Sequence, residues 1–133
     1  MHYTTEIVVR GYHHDLYGHV NHTRYLELME EARWRFFDDR LGREALDKTT
    51  APVVVVNVNI DYKAPAKVYD TLVIDLSTKS IGTTSAIFHQ KITIKETGAT
   101  AAEADITFVA VDALTGKPKP IDGPLRELLE GAR

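Results

Sequence analysis

The chain has 133 residues, 44% of them hydrophobic and 26% charged, with no cysteine and a formal net charge of −3. That length suits one domain, residues 1–133, able to bury about two-thirds of the surface its unfolded chain exposes. The charge balance excludes bulk attraction for nucleic acid, since no basic stripe or tail stands out. The missing cysteines exclude disulfides, thiolate metal sites and a cysteine nucleophile. Met1-His2-Tyr3-Thr4-Thr5-Glu6 has no basic region followed by an apolar core, so no secretory signal is expected. The apolar run Ala51-Pro52-Val53-Val54-Val55-Val56 is far too short for membrane insertion. A soluble protein suited to the reducing cytoplasm is the expectation.

Residues 2–10 alternate, with Tyr3, Thr5, Ile7 and Val9 on one face, and predict a short strand. A polar loop follows. From about Thr23 to Phe37 the spacing turns helical, with Tyr25, Leu28, Met29, Ala32 and Phe36 on one stripe. Trp34 widens that stripe, which predicts cover on more than one side. Asn21 or Thr23 can cap the helix, and Gly42 marks the end of the region. After a polar connector, strands are predicted over Val53 to Tyr62, Thr71 to Ile81, Ala86 to Lys95 and Ala101 to Val111. Ile81-Gly82-Thr83-Thr84 reads as a bend and Glu96-Thr97-Gly98 as a hairpin turn. Pro124 to Glu130 predicts a short terminal helix with Leu125, Leu128 and Leu129 as its apolar side. One long helix among such strands predicts an α+β fold, a curved antiparallel sheet wrapped around the helix. A lone helix cannot cover such a sheet or its edges, so a homo-oligomer, dimer or tetramer, is expected.

The loop Tyr12-His13-His14-Asp15-Leu16-Tyr17-Gly18-His19-Val20-Asn21-His22 gathers four histidines, one carboxylate and one amide around a glycine, directly ahead of the helix. The helix start offers unpaired N–H groups and the positive end of the dipole. A carboxylate facing it suits attack on a carbonyl whose oxygen becomes negative. His13, Asp15 and His19 do not reproduce a known metal-ligand spacing, so no metal or other cofactor is expected.

The segments Val9-Arg10-Gly11-Tyr12-His13-His14-Asp15 and Gly18-His19-Val20-Asn21-His22-Thr23-Arg24-Tyr25-Leu26-Glu27 resemble the signature of hotdog-fold acyl-CoA thioesterases related to 4-hydroxybenzoyl-CoA thioesterase. They are most similar to bacterial long-chain acyl-CoA thioesterases of the thioesterase III type. The likeness continues through Glu30-Glu31-Ala32-Arg33-Trp34, Val54 to Tyr62 and Ile106-Thr107-Phe108-Val109. It implies a hotdog fold and hydrolysis of medium- or long-chain fatty acyl-CoA to the acid and coenzyme A. It implies that Asp15 is the catalytic carboxylate, as nucleophile or as base for water, and that a backbone N–H near His22 polarises the thioester carbonyl. Related plant acyl-carrier thioesterases pair this aspartate with an asparagine two residues on and a histidine four residues on. Here the histidine is His19, but Tyr17 holds the asparagine position, so that triad does not carry over intact. Many relatives have an acidic residue where this chain has His13.

Each residue also has a plainer reading. Asp15 can be a turn residue bonding its own backbone. His19 can orient Asp15 or move a proton, or it can be a loop histidine bonded to backbone. Asn21 is a helix cap before it is a substrate contact. Gly18 permits a backbone conformation closed to other residues, or close approach of a ligand. The thiol leaving group resembles cysteine, with a reference pKa of about 8.5, so it departs without a strong general acid. The phosphates of CoA call for basic side chains at the entrance. Lys63 and Lys67, flanking Ala64-Pro65-Ala66, are preferred over Arg10 and Arg24. Tyr17 and Gly18 join Lys63 and Lys67 as substrate-binding candidates. Trp34, Phe37 and Val53 to Val56 are read as core, with Val55 a candidate for lining an acyl channel. Competing functions are an enoyl-CoA hydratase, disfavoured because Leu16-Tyr17-Gly18 replaces the Asn-Pro part of its motif, and a non-catalytic acyl-binding protein.

Overall fold

Alternation decides the sheet. On β3 (Thr71–Ile81), Leu72, Ile74 and Leu76 point inward; on β4 (Ser85–Ile94), Phe88, Gln90, Ile92 and Ile94 do; on β5 (Thr100–Ala110), Ala102, Ala104, Ile106 and Phe108 do. The period of two gives these strands one apolar and one polar face. In the computed structural model, which describes residues 2–42 and 52–133, they join β1 (Tyr3–Val8) and β2 (Val53–Tyr62) in one antiparallel sheet. The strand order is β1-β3-β4-β5-β2. The polar connector after Gly42 lies outside the described residues.

Helix α1 (His22–Arg40) lies against the inner face. Asn21 caps it, its side-chain oxygen accepting from the Thr23 N–H. Gly42, at φ 83°, follows the last turn, and its N–H donates to the carbonyl of Asp38. Tyr25, Leu28, Met29 and Ala32 pack on Leu72, Ile74, Ile92 and Ile106. The row Ala101, Ala102 and Ala104 of β5 belongs to this cluster. Beyond Phe36 the core becomes aromatic. Phe36, Phe37, Phe88 and Phe108 meet Ile121, Leu125 and Leu129, the last two on the terminal helix α2 (Gly123–Gly131). This is the expected α+β hotdog architecture.

One expectation fails. Trp34 is 55% exposed, and Val53, Val54, Val55 and Val56 are exposed as well, rather than core. α1 leans toward β1, where Arg35 donates to Thr5 Oγ1 and the Glu6 carbonyl. Among the described residues β2 is an edge strand paired with β5 alone. Val53, Val55 and Val58 stand opposite the buried Ala110, Phe108 and Ile106, so they share the inner face but lie beyond the helix.

Candidate active site

The polar loop is a tight hairpin of backbone bonds. The Asp15 N–H donates to the His19 carbonyl, the Gly18 N–H to the Asp15 carbonyl and the Asn21 N–H to the His13 carbonyl. Gly18 sits at φ 78°, in the left-handed region glycine enters without strain. Tyr17 N–H donates to Asp15 Oδ1 at 2.8 Å. The plain turn role of Asp15 is therefore present, and Oδ2 has no hydrogen-bond partner among the described residues. His13 is buried, and its Nδ1 accepts from the Arg10 N–H at 2.8 Å. Burial holds its pKa below the ordinary value, with the Arg24 charge adding to the effect. It is a neutral strut under the loop.

An open pocket of about 390 Å³ is lined by Asp15, Tyr17, His19, Val20, His22, Tyr25, Tyr62, Lys63, Ala64 and Pro65. The loop, the first turn of α1 and the chain leaving β2 thus converge. Ala66 fastens them: its N–H donates to Tyr25 Oη at 3.1 Å, and its carbonyl accepts from the Val20 N–H at 2.8 Å. Tyr62 stands edge-on to the His22 ring, centroids 6.0 Å apart. At the helix start, Asn21 takes the Thr23 N–H with its side chain and the Arg24 N–H with its carbonyl. The His22 N–H is left without an acceptor among the described residues, and His22 and Asp15 line the same pocket.

Of the site candidates, Asp15, Tyr17, His19, His22 and Lys63 line this pocket. Gly18 shapes the turn, and Asn21 is the helix cap. Lys67 lies past the wall, its N–H donating to Asp70 Oδ2. Val55 is on the open inner face of β2, 43% exposed. Sequence reasoning passed over Tyr62, Ala64 and Pro65 as wall residues and took Tyr25 as core alone. Their only signal was the strand ending at a proline. Among the described residues no group of three or more acidic or histidine side chains is placed to hold a metal ion. None of their helices is long and apolar enough to cross a membrane.

The family model of the thioesterase-like superfamily matches residues 9–129. The chain is 43% identical to long-chain acyl-CoA thioesterase FadM of Escherichia coli, over 95% of its own length and 96% of that protein. It is 32% identical to acyl-CoA thioester hydrolase YbgC of Escherichia coli, over 85% of its length and 86% of that protein. The crystal structure of YbaW from Escherichia coli superposes with a TM-score of 0.85 at 42% identity, covering 97% of each chain. Fold, match and relatives agree that this chain belongs to the thioesterase-like superfamily.

Proposed function

We propose that the protein hydrolyses medium- or long-chain fatty acyl-CoA to the free acid and coenzyme A, with residues 1–133 acting as one domain. The observation that carries this reading is that Asp15 and His22, whose N–H has no acceptor among the described residues, line one pocket. Either Asp15 attacks the thioester carbon itself, and water later cleaves the anhydride, or it takes a proton from attacking water. In both cases negative charge gathers on the carbonyl oxygen, where the His22 N–H and the helix dipole stabilise it. The C–S bond then breaks, the sulfur leaves as thiolate, and solvent supplies its proton. His19, which lines the same pocket, orients the carboxylate or the water in this reading. Lys63 at the rim receives a phosphate of CoA, with Lys67 further along the same segment.

A homo-oligomer, dimer or tetramer, completes the picture. Among the described residues β2 offers an unpaired edge and an open row of valines, which a second copy would cover. A chain without cysteine suits the reducing cytoplasm, where we place the reaction.

Release of thiol from a panel of acyl-CoA esters, followed with DTNB, tests the reading. Turnover that rises with acyl length is the expected result. No thiol released from any ester would overturn it, and loss of enoyl absorbance without thiol would identify a hydratase instead.

A further inference from the structure

The outer face of the sheet, turned away from α1, carries a line of charge that the reaction above does not use. Lys63, just past β2, donates to Glu103 Oε2 at 3.0 Å. The other oxygen of Glu103, on β5, lies 2.9 Å from His89 Nε2. His89, on β4, turns Nδ1 to Asp105 Oδ1 at 2.7 Å. Asp105 Oδ2 in turn accepts from the Lys79 ammonium on β3. Lys79, Asp105, His89, Glu103 and Lys63 thus form a continuous chain across the sheet, and its last member is a wall of the pocket.

A lysine stem has large rotamer entropy, which a ligand must freeze if the protein has not already done so. One hydrogen bond to Glu103 restrains the stem and still leaves the ammonium two of its three N–H groups. Glu103 is itself a long side chain on an exposed face and would be a loose tether alone. His89 fixes its second oxygen, and Asp105, bonded to Lys79, fixes His89. The cations hold both carboxylates below the ordinary range, Lys63 chiefly for Glu103 and Lys79 chiefly for Asp105, so both carboxylates stay ionised at neutral pH.

We propose that Glu103, steadied by His89, is a positioning residue that holds the Lys63 ammonium at the pocket rim for a phosphate of the substrate's CoA portion. This rests on the acyl-CoA reading above. It adds a role for a sheet face remote from the reacting carbonyl.

The test compares an acyl-CoA with the matching acyl-pantetheine ester, which keeps the thioester and its arm but lacks the phosphates. The readout is the factor by which KM for the CoA ester is lower. Lys63→Met and Glu103→Gln should each shrink that factor about fivefold, the size one partly exposed ion pair carries. The double variant should shrink it no further than Lys63→Met alone, and His89→Gln should act in the same direction. Lys95→Gln, which breaks an exposed pair with Glu6 at 3.1 Å, should leave the factor unchanged. If Lys63→Met shrinks the factor while Glu103→Gln leaves or enlarges it, the positioning role is overturned and the acyl-CoA reading stands. An unchanged factor in Lys63→Met overturns the proposal at its first link. Should neither ester be hydrolysed by the parent, the thioesterase reading falls. Calorimetric binding of CoA and pantetheine to the same variants then decides the positioning role by the same comparison.

Discussion

The backbone N–H of Tyr17 donates to one carboxylate oxygen of Asp15, and the other oxygen has no partner among the described residues. Asp15 is thus both the hinge of its turn and a pocket wall, and substitution can separate the two roles. Asn keeps an oxygen for the Tyr17 N–H but loses the charge; Ala loses both. Asp15→Asn should fold with an unchanged melting temperature and lose about a thousandfold or more in kcat. Asp15→Ala should lose activity alike and melt lower. Retained hydrolysis in Asp15→Asn would remove the carboxylate from the chemistry.

Tyr25 ties the helix to the far wall of the pocket through the Ala66 N–H. Tyr25→Phe keeps the packing but strands a buried donor. The expected destabilisation is about 1–3 kcal/mol in urea unfolding, with a raised KM as the wall at Ala64 and Pro65 loosens. Stability equal to the parent would mean that water replaces the hydroxyl.

Gln90 is fully buried, and it joins α1 to the sheet by two bonds. It donates to the Met29 carbonyl at 2.9 Å and accepts from Arg33 Nη1 at 2.8 Å. Burial pulls the pKa of the half-buried Arg33 down. Gln90→Leu should cost about 1–3 kcal/mol, because the guanidinium loses its buried acceptor. Pairing it with Arg33→Met should recover part of that loss in a double-mutant cycle. Strictly additive effects would show that the two side chains are independent.

Tyr3 donates to Asp39 Oδ2 at 2.6 Å, and burial, helped by that bond, pushes its pKa from 10.0 up to about 12. A raised folded-state pKa means the stabilisation is complete below the unfolded value and disappears as pH climbs through the folded one. Stability should therefore fall between pH 10 and about 12. The late part of the tyrosinate absorbance, to which Tyr25 and Tyr62 also contribute because burial raises both, should shrink by one tyrosine in Tyr3→Phe. A hydroxyl titrating near the ordinary value would contradict the Asp39 bond.

The valines of β2 bear on assembly. Val55 and Val58 are 43% and 39% exposed. Light scattering should show a dimer or tetramer, and Val55→Glu with Val58→Glu should shift it toward monomer. A parent that is monomeric at micromolar concentration would sink the oligomer reading.

Much of this was visible in the sequence wherever one element carried the information. β-branched richness placed β2 and alternation placed β3 at their observed limits, Val53–Tyr62 and Thr71–Ile81, and of the two cap candidates, Asn21 and Thr23, Asn21 caps the helix. The helix runs on to Arg40 because Asp38 and Asp39 add nothing to an apolar stripe yet follow a well-packed Phe36 and Phe37. The valines misled because a run of them reads the same in a covered strand and at an edge. Asp15, Tyr17, His19 and His22 were legible as one short stretch. Tyr62, Pro65 and the Gln90–Arg33 bond were not, because each needs elements brought together from distant parts of the chain.

The alanine row of β5 has a mechanical consequence. It shares one cluster with Tyr25, Leu28 and Met29 of the helix that begins at His22. A bulkier side chain at Ala102 or Ala104 would press on that cluster and shift the start of the helix relative to Asp15. Reactivity could then be retuned from inside the protein, with every residue of the pocket left as it is.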